Sequence, residues 1–243
     1  LKGKILRVPD GVAEDKRPLQ IPHIGWNSLS FPQKGRLFEG FFREELSSRL
    51  SKETLESVMK KAIDDFRHVS AIIPDVPATS PWVKNIIGIA YEIGLWKELS
   101  SRGWSLTELS IVTQKALGKL TLSSVPPGKI PEIRDMLCSP DYVRRIASAS
   151  RVSSEDDWLF DCVMPDENDT FDVGMDIIRC PVAKLCLCVN DYISHDILGV
   201  RLTRTQTLSH AAPCCDFRLT RKEKGEGTVI VRPELLREFA NNE

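Results

Sequence analysis

Hydrophobic residues recur at helical spacing through the first half of the chain. Between residues 37 and 66, large apolar side chains return every three or four positions, which is typical of helices with one buried face. The same spacing predicts a long helix over residues 82–102 and another over residues 105–122. Shorter helices are expected from about Pro131 and over residues 140–150.

The predicted helices have recognisable ends. Ser105 and Glu108 form a Ser-x-x-Glu capping sequence, in which each side chain can satisfy the other residue's backbone N–H. Gly103 is placed to end the preceding helix, because glycine tolerates the left-handed backbone conformation found there. The prolines of residues 75–81 predict a loop, and Pro126-Pro127-Gly128 predicts a break.

After residue 154 the period changes to two, which indicates strands. An acidic turn over residues 165–169 separates the first two of them. Further along, a helical segment is followed by two strands, an edge strand and a terminal helix. The predicted elements are strands 158–163 and 171–177, helix 181–198, strands 200–208 and 215–219, edge strand 228–231 and helix 233–239.

This order predicts the α+β class, with an N-terminal helical layer followed by an antiparallel strand-strand-helix-strand-strand unit. Residues 1–32 hold only short alternating pieces with little apolar surface, so we expect a loosely packed extension there. Residues 33–243 are expected to form a single domain.

The composition limits the kinds of binding partner that we expect for this protein. The chain has 33 Lys plus Arg against 34 Asp plus Glu, a formal net charge of -1, which disfavours nucleic acid and anionic lipid as partners. It has no apolar run of transmembrane length and no signal-peptide pattern near residue 1, so a cytoplasmic protein with a small-molecule substrate is expected. A Gly-rich phosphate loop and a Gly-x-Ser-x-Gly elbow are both absent from the sequence.

Cysteines are concentrated in one region, since five of the seven lie within residues 180–215. This distribution favours reduced thiols over a disulfide framework. Packing as small hydrophobic residues is one interpretation. A divalent metal site, for zinc or manganese, is another; its ligands would be Cys180, Cys188, Cys215 and His195, although no Cys-x-x-Cys pair is present. A catalytic cysteine beside His195 or His210 is the third.

Polar residues near these cysteines suggest a substrate site. Arg204, flanked by Thr205 and Thr207, offers a planar fork suited to a carboxylate. The alternative is an exposed arginine, or one paired with Asp216 on the next strand. Asp191 and Asp216 are candidate general bases if partly buried, and solvated or ion-paired carboxylates otherwise.

Several motifs occur in the order seen in one enzyme family. They are Ser80-Pro81-Trp82-Val83-Lys84-Asn85, Ala90-Tyr91-Glu92, Asp156-Asp157-Trp158, Arg179-Cys180-Pro181, Cys188-Val189-Asn190-Asp191-Tyr192, Arg204-Thr205-Gln206-Thr207-Leu208 and Cys215-Asp216-Phe217-Arg218. Over about residues 35–222 the chain resembles the L-2-amino-thiazoline-4-carboxylic acid hydrolase-like family. It departs from the family pattern in the short stretch between Cys180 and Cys188 and at residues 210–212.

That resemblance implies a hydrolase that opens the thiazoline ring to N-carbamoyl-L-cysteine. Such chemistry requires a base, a carboxylate anchor and a group that stabilises the leaving sulfur. By residue type we assign catalytic roles to Asp191, Asp216, Cys188 and Cys215, and substrate binding to Arg204, Thr205 and Thr207. The alternative function is a non-catalytic sensor that binds a small molecule or a metal in the same cysteine-rich pocket.

The first thirty residues carry a different resemblance. Lys2-Gly3-Lys4-Ile5-Leu6-Arg7-Val8-Pro9 and Pro22-His23-Ile24-Gly25-Trp26-Asn27 resemble an internal piece of the glutaminase subunit of imidazole glycerol phosphate synthase. In that family the piece lies between the nucleophilic cysteine and the later histidine and glutamate. The resemblance therefore implies no glutaminase triad here, and we assign His23 and Trp26 no catalytic part.

Overall fold

The computed structural model describes residues 4–6, 31–72, 83–151, 158–180, 189–208, 211–223 and 225–228. Within this part of the chain, helices dominate the first half and strands the second, which confirms the predicted α+β class. The helices are α1 (Phe31–Ser47), α2 (Lys52–Ile72), α3 (Val83–Ser100), α4 (Leu106–Ser124), α5 (Ile130–Leu137), α6 (Pro140–Ser150) and α7 (Val189–Ile197). The strands are β1 (Lys4–Leu6), β2 (Leu159–Met164), β3 (Val173–Arg179), β4 (Val200–Thr203) and β5 (Cys215–Arg221).

Helices α1 to α4 pack around one apolar cluster, which contains Phe42, Leu46, Tyr91, Leu95 and Leu99. Helices α2 and α3 approach closely where Gly94 meets Ala62. A Cβ built on Gly94 would lie 2.7 Å from the Ala62 carbonyl oxygen, so this contact requires a glycine. The periodic apolar stripes seen in the sequence are therefore the faces that meet inside this bundle.

The helix boundaries follow the predicted signals. Ser105 Oγ accepts from the Glu108 backbone N–H at 3.2 Å, and the Glu108 carboxylate accepts from the Ser105 N–H at 2.9 Å. Gly103 has φ of 85°, the left-handed conformation expected after α3. The predicted loop over residues 75–81 lies outside the described residues. None of the described helices is long and apolar enough to cross a bilayer.

The strands form one antiparallel sheet in the order β1-β2-β3-β5-β4. A second apolar cluster covers one face of this sheet, where residues of α6 and α7 pack on the strands. Helix α7 also packs against α4 and so joins the sheet to the bundle. The expected strand-strand-helix-strand-strand unit thus corresponds to β2, β3, α7, β4 and β5.

Strand β1 adds an element at the edge of the sheet. Lys4, Ile5 and Leu6 pair with Met164, Val163 and Cys162 of β2. The rest of residues 1–30 lies outside the described part of the chain, so the loose packing of residues 1–32 and the domain boundary stay predictions.

Two predicted elements differ in length. The strand predicted over residues 200–208 ends at Thr203, since the backbone of Thr205 and Gln206 donates to a side chain instead of continuing as a strand. Only Val189–Ile197 of the predicted helix 181–198 is described as helical, and residues 181–188 lie outside the described residues. The predicted edge strand 228–231 and terminal helix 233–239 fall almost wholly outside them.

Candidate functional site

Three predicted site residues come together where α7 lies over β4 and β5. Asp191 is in the first turn of α7, Arg204 follows β4, and Cys215 begins β5. The Arg204 Nη1 and Asp191 Oδ2 atoms are 3.8 Å apart. Both residues contribute electrostatically to the pKa of the Cys215 thiol, which places the three groups in one neighbourhood. We call Arg204, Asp191, His195 and Cys215 the α7 site.

Two aromatic rings hold the Arg204 guanidinium. Its Cζ lies 4.9 Å from the centre of the Tyr192 ring and 5.5 Å from that of Phe217. Strand pairing places Phe217 there: Thr203 of β4 lies opposite Arg218 of the antiparallel strand β5, so continuing the register brings Arg204 opposite Phe217. The Arg204 side chain is only 2% exposed, so it is a buried cation fixed by stacking.

Asp191 is the more accessible member of the pair. Loss of hydrating water on burial raises the pKa of its carboxyl above the usual range, whereas the charges of Arg204 and His195 act to lower this pKa. The side chain nevertheless keeps 42% of its surface exposed. Dense neighbours on one side, rather than complete burial, therefore account for the direction of the pKa shift. Asp191 is therefore the solvent-exposed partner of the buried Arg204 guanidinium.

His195 is oriented by its own helix. Its Nδ1 lies 2.6 Å from the backbone oxygen of Asp191, one turn earlier. A carbonyl oxygen can only accept, so Nδ1 carries the proton, and in the neutral ring Nε2 has the lone pair. The ring also meets Phe217 edge to face, with centroids 6.3 Å apart. Nε2 is thus the nitrogen with which His195 can accept a proton or bind a metal.

Asp216 fixes the segment that carries Arg204. Its Oδ1 accepts from the backbone N–H groups of Thr205 and Gln206, each at 2.8 Å. Its Oδ2 accepts from the Thr205 hydroxyl at 2.6 Å. Asp216 is 3% exposed. Its carboxylate is occupied by three donors, and the predicted alternative of an Arg204–Asp216 ion pair does not appear among the ion pairs of the described residues.

Cys214, just before β5, and Cys215, its first residue, both bind the same segment. The backbone N–H of Leu208 donates to Cys215 Sγ at 3.2 Å, and Gln206 Nε2 donates to Cys214 Sγ at the same distance. Burial raises the pKa of the Cys215 thiol, while the Leu208 bond, Arg204 and the Thr207 hydroxyl lower it. Burial likewise raises the pKa of Cys214 to about 11. Both thiols are therefore protonated at neutral pH.

The predicted metal ligands are only partly described. Among the described residues no group of three or more His, Cys, Asp or Glu side chains is arranged to hold a metal ion. Cys180 is half-buried after β3 and packs against the sheet cluster. Cys188, a predicted catalytic and metal-binding residue, and His210 lie outside the described residues. The metal site stays a prediction.

The other face of the sheet holds buried charges that the sequence analysis missed. Asp161, Asp176 and Asp216 lie directly opposite one another on β2, β3 and β5. Arg151 binds Asp161, and Arg218 Nη1 donates to Asp176 at 2.7 Å. The sequence signal that could have indicated these buried charges was the presence of charged residues at alternate positions within apolar strands. These pairs neutralise charges buried on the face of the sheet opposite the α7 site.

Tyr192 and Phe217 are the site residues that the sequence analysis left without a role. Both belong to quoted motifs, as neighbours of Asp191 and Asp216, but no pattern in one sequence shows that two rings will enclose an arginine. The pairing of β4 with β5 and the position of α7 create that contact.

Comparison with known proteins gives one short match. A stretch of 40 residues is 42% identical to imidazole glycerol phosphate synthase subunit HisH of Geobacillus thermodenitrificans (strain NG80-2), covering 16% of this chain and 18% of that relative. This agrees with the resemblance drawn from the first thirty residues. No protein-family model and no solved structure matches the chain. The thiazoline hydrolase resemblance thus receives no support from these comparisons.

Proposed function

We propose that the protein is a hydrolase that opens the ring of a 2-aminothiazoline-4-carboxylate-like substrate. The observation that carries this proposal is the convergence of Arg204, Asp191, His195 and Cys215 beside α7. A buried guanidinium held against two aromatic rings is suited to bind a carboxylate with little reorganisation. The neighbouring carboxylate, imidazole and thiol supply the groups that proton transfer and sulfur departure require.

In the proposed reaction, water adds to the ring carbon that bears the amino group. His195 Nε2 accepts one water proton as the tetrahedral adduct forms. The carbon–sulfur bond then breaks in the same step in which the carbonyl forms and the second water proton passes to the ring nitrogen, and the proton held by His195 passes to the leaving sulfur. The products balance as N-carbamoyl-cysteine, with the water oxygen in the new carbonyl group.

Asp216 has a positioning role in this proposal. Its three hydrogen bonds hold Thr205 and Gln206, and these follow Arg204 directly. Thr205 thus acts by placing Arg204, while Thr207 contacts the Cys215 thiol. In this proposal the protonated Cys215 thiol stabilises the departing sulfur by a hydrogen bond, while the proton that the sulfur gains comes from His195.

The test is turnover of 2-aminothiazoline-4-carboxylate by the purified protein, with N-carbamoyl-cysteine measured chromatographically, with and without added Zn²⁺ or Mn²⁺. We expect Arg204→Gln to lower kcat/KM by about 10- to 150-fold, since a hydrogen bond to a charged group contributes about 1.5–3 kcal/mol. Arg201→Gln is the matched control, because Arg201 is exposed on β4, the strand that leads to Arg204, and pairs with Glu226. No turnover in any condition, or equal effects of the two variants, would contradict the proposal.

The thiols favour a second candidate function, binding without catalysis. Cys214 and Cys215 are buried, have raised pKa values and accept hydrogen bonds that hold the 204–208 segment. A site with inert thiols suits a sensor that binds a small anion at Arg204. Ligand binding without turnover would favour this function over the hydrolase.

A further inference from the structure

We infer that Lys222 is a positioning residue for His195, which it holds in place through a buried ion pair with Asp196 at the end of α7. The inference deepens the proposed function and rests on it, because His195 is the proton acceptor of the proposed reaction. It adds a residue outside the α7 site on which the geometry of that site depends.

Asp196 occupies an unfavourable position for a carboxylate. It belongs to the buried face of α7, which also carries Ile193 and Ile197, and it is only 3% exposed. It also lies in the last turn of the helix, where the helix dipole disfavours a negative charge. A carboxylate in such surroundings requires a positive charge within contact distance.

Lys222 supplies that positive charge. Its Nζ lies 3.0 Å from Asp196 Oδ1, and the two side chains are 7% and 4% exposed. The Nζ atom also donates to the Gly227 backbone oxygen at 2.6 Å. The Lys222 backbone N–H donates to the Gly199 carbonyl at 2.9 Å, just beyond the helix. Lys222 therefore binds the end of α7 through both its side chain and its backbone.

Helix α7 depends on such an anchor because it is short. Its nine residues are fewer than an isolated helix needs to be stable in water. His195 immediately precedes Asp196, and its Nδ1–H reaches the Asp191 backbone oxygen only while this turn stays helical. Without Lys222, the Asp196 carboxylate would gain solvation by leaving the buried face, and the last turn of α7 would open with it.

Strand β5 connects this anchor to the other contact of His195. It carries Phe217, whose ring meets that of His195 edge to face with centroids 6.3 Å apart, and Lys222 directly follows it. The ion pair therefore fixes α7 at one position along β5. In that position the His195 ring has the Asp191 carbonyl at Nδ1 and the Phe217 ring at its side.

Nitrogen-15 NMR of the full chain tests the inference, since the protonated and unprotonated nitrogens of a neutral histidine ring have well-separated resonances. His195→Gln identifies the His195 signals among those of the four histidines. At about pH 9, where the ring is neutral, we expect the proton on Nδ1 in the wild type.

Lys222→Met should change this signature. We expect the Nδ1–H form to fall to about half or less of the ring population, because a ring released from the Asp191 carbonyl exchanges between both tautomers. A residue that only adds global stability would leave the tautomer of the folded protein as it is. An unchanged His195 tautomer in folded Lys222→Met would therefore overturn the inference.

The double variant Lys222→Met/Asp196→Asn leaves no buried carboxylate without a cation. We expect it to recover most of the wild-type Nδ1–H signal, and to fold even if Lys222→Met does not. A double variant no more ordered at His195 than Lys222→Met would refute the inference. Arg201→Gln is the control, because it breaks the exposed Arg201–Glu226 pair beside the same turn after β5 and should leave the His195 tautomer unchanged.

The two proposals fail in different ways. A Lys222-dependent tautomer of His195 in a protein that does not turn over the thiazoline would refute the hydrolase and support the positioning role. Turnover by a protein whose His195 tautomer is the same with and without Lys222 would refute the positioning role and leave the hydrolase standing.

Discussion

Replacing Asp216 tests how the site is held together. In Asp216→Ala, the backbone N–H groups of Thr205 and Gln206 and the Thr205 hydroxyl all lose their acceptor. Removal of a buried charged acceptor from such a network costs about 3–5 kcal/mol. We therefore expect the free energy of unfolding to fall by about that amount.

Asp216→Asn should be much milder. The retained Oδ1 can still accept both backbone N–H groups, and the Thr205 hydroxyl can rotate to accept from the new amide. We expect a cost of about 1 kcal/mol. Loss of the negative charge opposite Asp176 occurs in both variants, so it cancels when the two are compared.

Urea denaturation followed by circular dichroism measures these differences, provided the m value is unchanged. Amide exchange at Thr205 and Gln206 should accelerate in Asp216→Ala and stay close to wild type in Asp216→Asn. Asp141→Asn, at an exposed helix position, should change stability by less than about 1 kcal/mol. Equal costs for the two Asp216 variants, or a cost below about 1 kcal/mol for alanine, would refute this account of the segment.

Three further predictions concern the helical bundle. Gly94→Ala should destabilise the protein by about 1–3 kcal/mol in a thermal melt, because the new Cβ would lie 2.7 Å from the Ala62 carbonyl oxygen. Gly40→Ala is the control: a Cβ there meets open space, so this variant should stabilise the protein by about 0.5–1 kcal/mol. Burial raises the pKa of Glu92 well above its ordinary value near 4.5, so above that pH the native state keeps a proton that the unfolded chain releases. The free energy of unfolding should therefore fall as pH rises above about 4.5, by up to about 1.4 kcal/mol per pH unit. Glu92→Gln should flatten this dependence and raise stability at pH 7, and an unchanged slope in urea titrations would contradict it. Ser105→Ala should cost about 1 kcal/mol in a urea titration, since the hydroxyl oxygen that accepts the Glu108 backbone N–H is lost.

Much of the helical half could be predicted because its signals are local. The capping box at Ser105, the glycine after α3 and the prolines in the first turns of α5 and α6 each act within a few residues, and the structure places helix ends at these positions. The strands were predicted from alternation, but not their lengths. Strand β4 ends early because Asp216, eleven residues beyond Thr205, captures the backbone that would have continued it.

The candidate site was predictable as a set of residue types and not as an arrangement. Arg204, Asp191 and Cys215 were chosen from the sequence and do lie together, whereas Asp216 holds the backbone of the adjoining segment. The enclosing rings of Tyr192 and Phe217 and the ion pairs of Asp161 and Asp176 were missed. Each of these depends on which strands are neighbours.

The sequence by itself therefore determined the class, the order of helices and strands, and the groups available for chemistry, because periodicity and capping depend on residues close in the chain. Tertiary structure decided that Arg204 is buried against two rings, that Asp191 lies 3.8 Å from it, and that Asp216 holds the segment that follows Arg204. The burial of a residue and its distance from residues far away in the chain are determined only when the sheet order and the position of α7 are fixed. Burial and distance in turn give residues of the same type different roles.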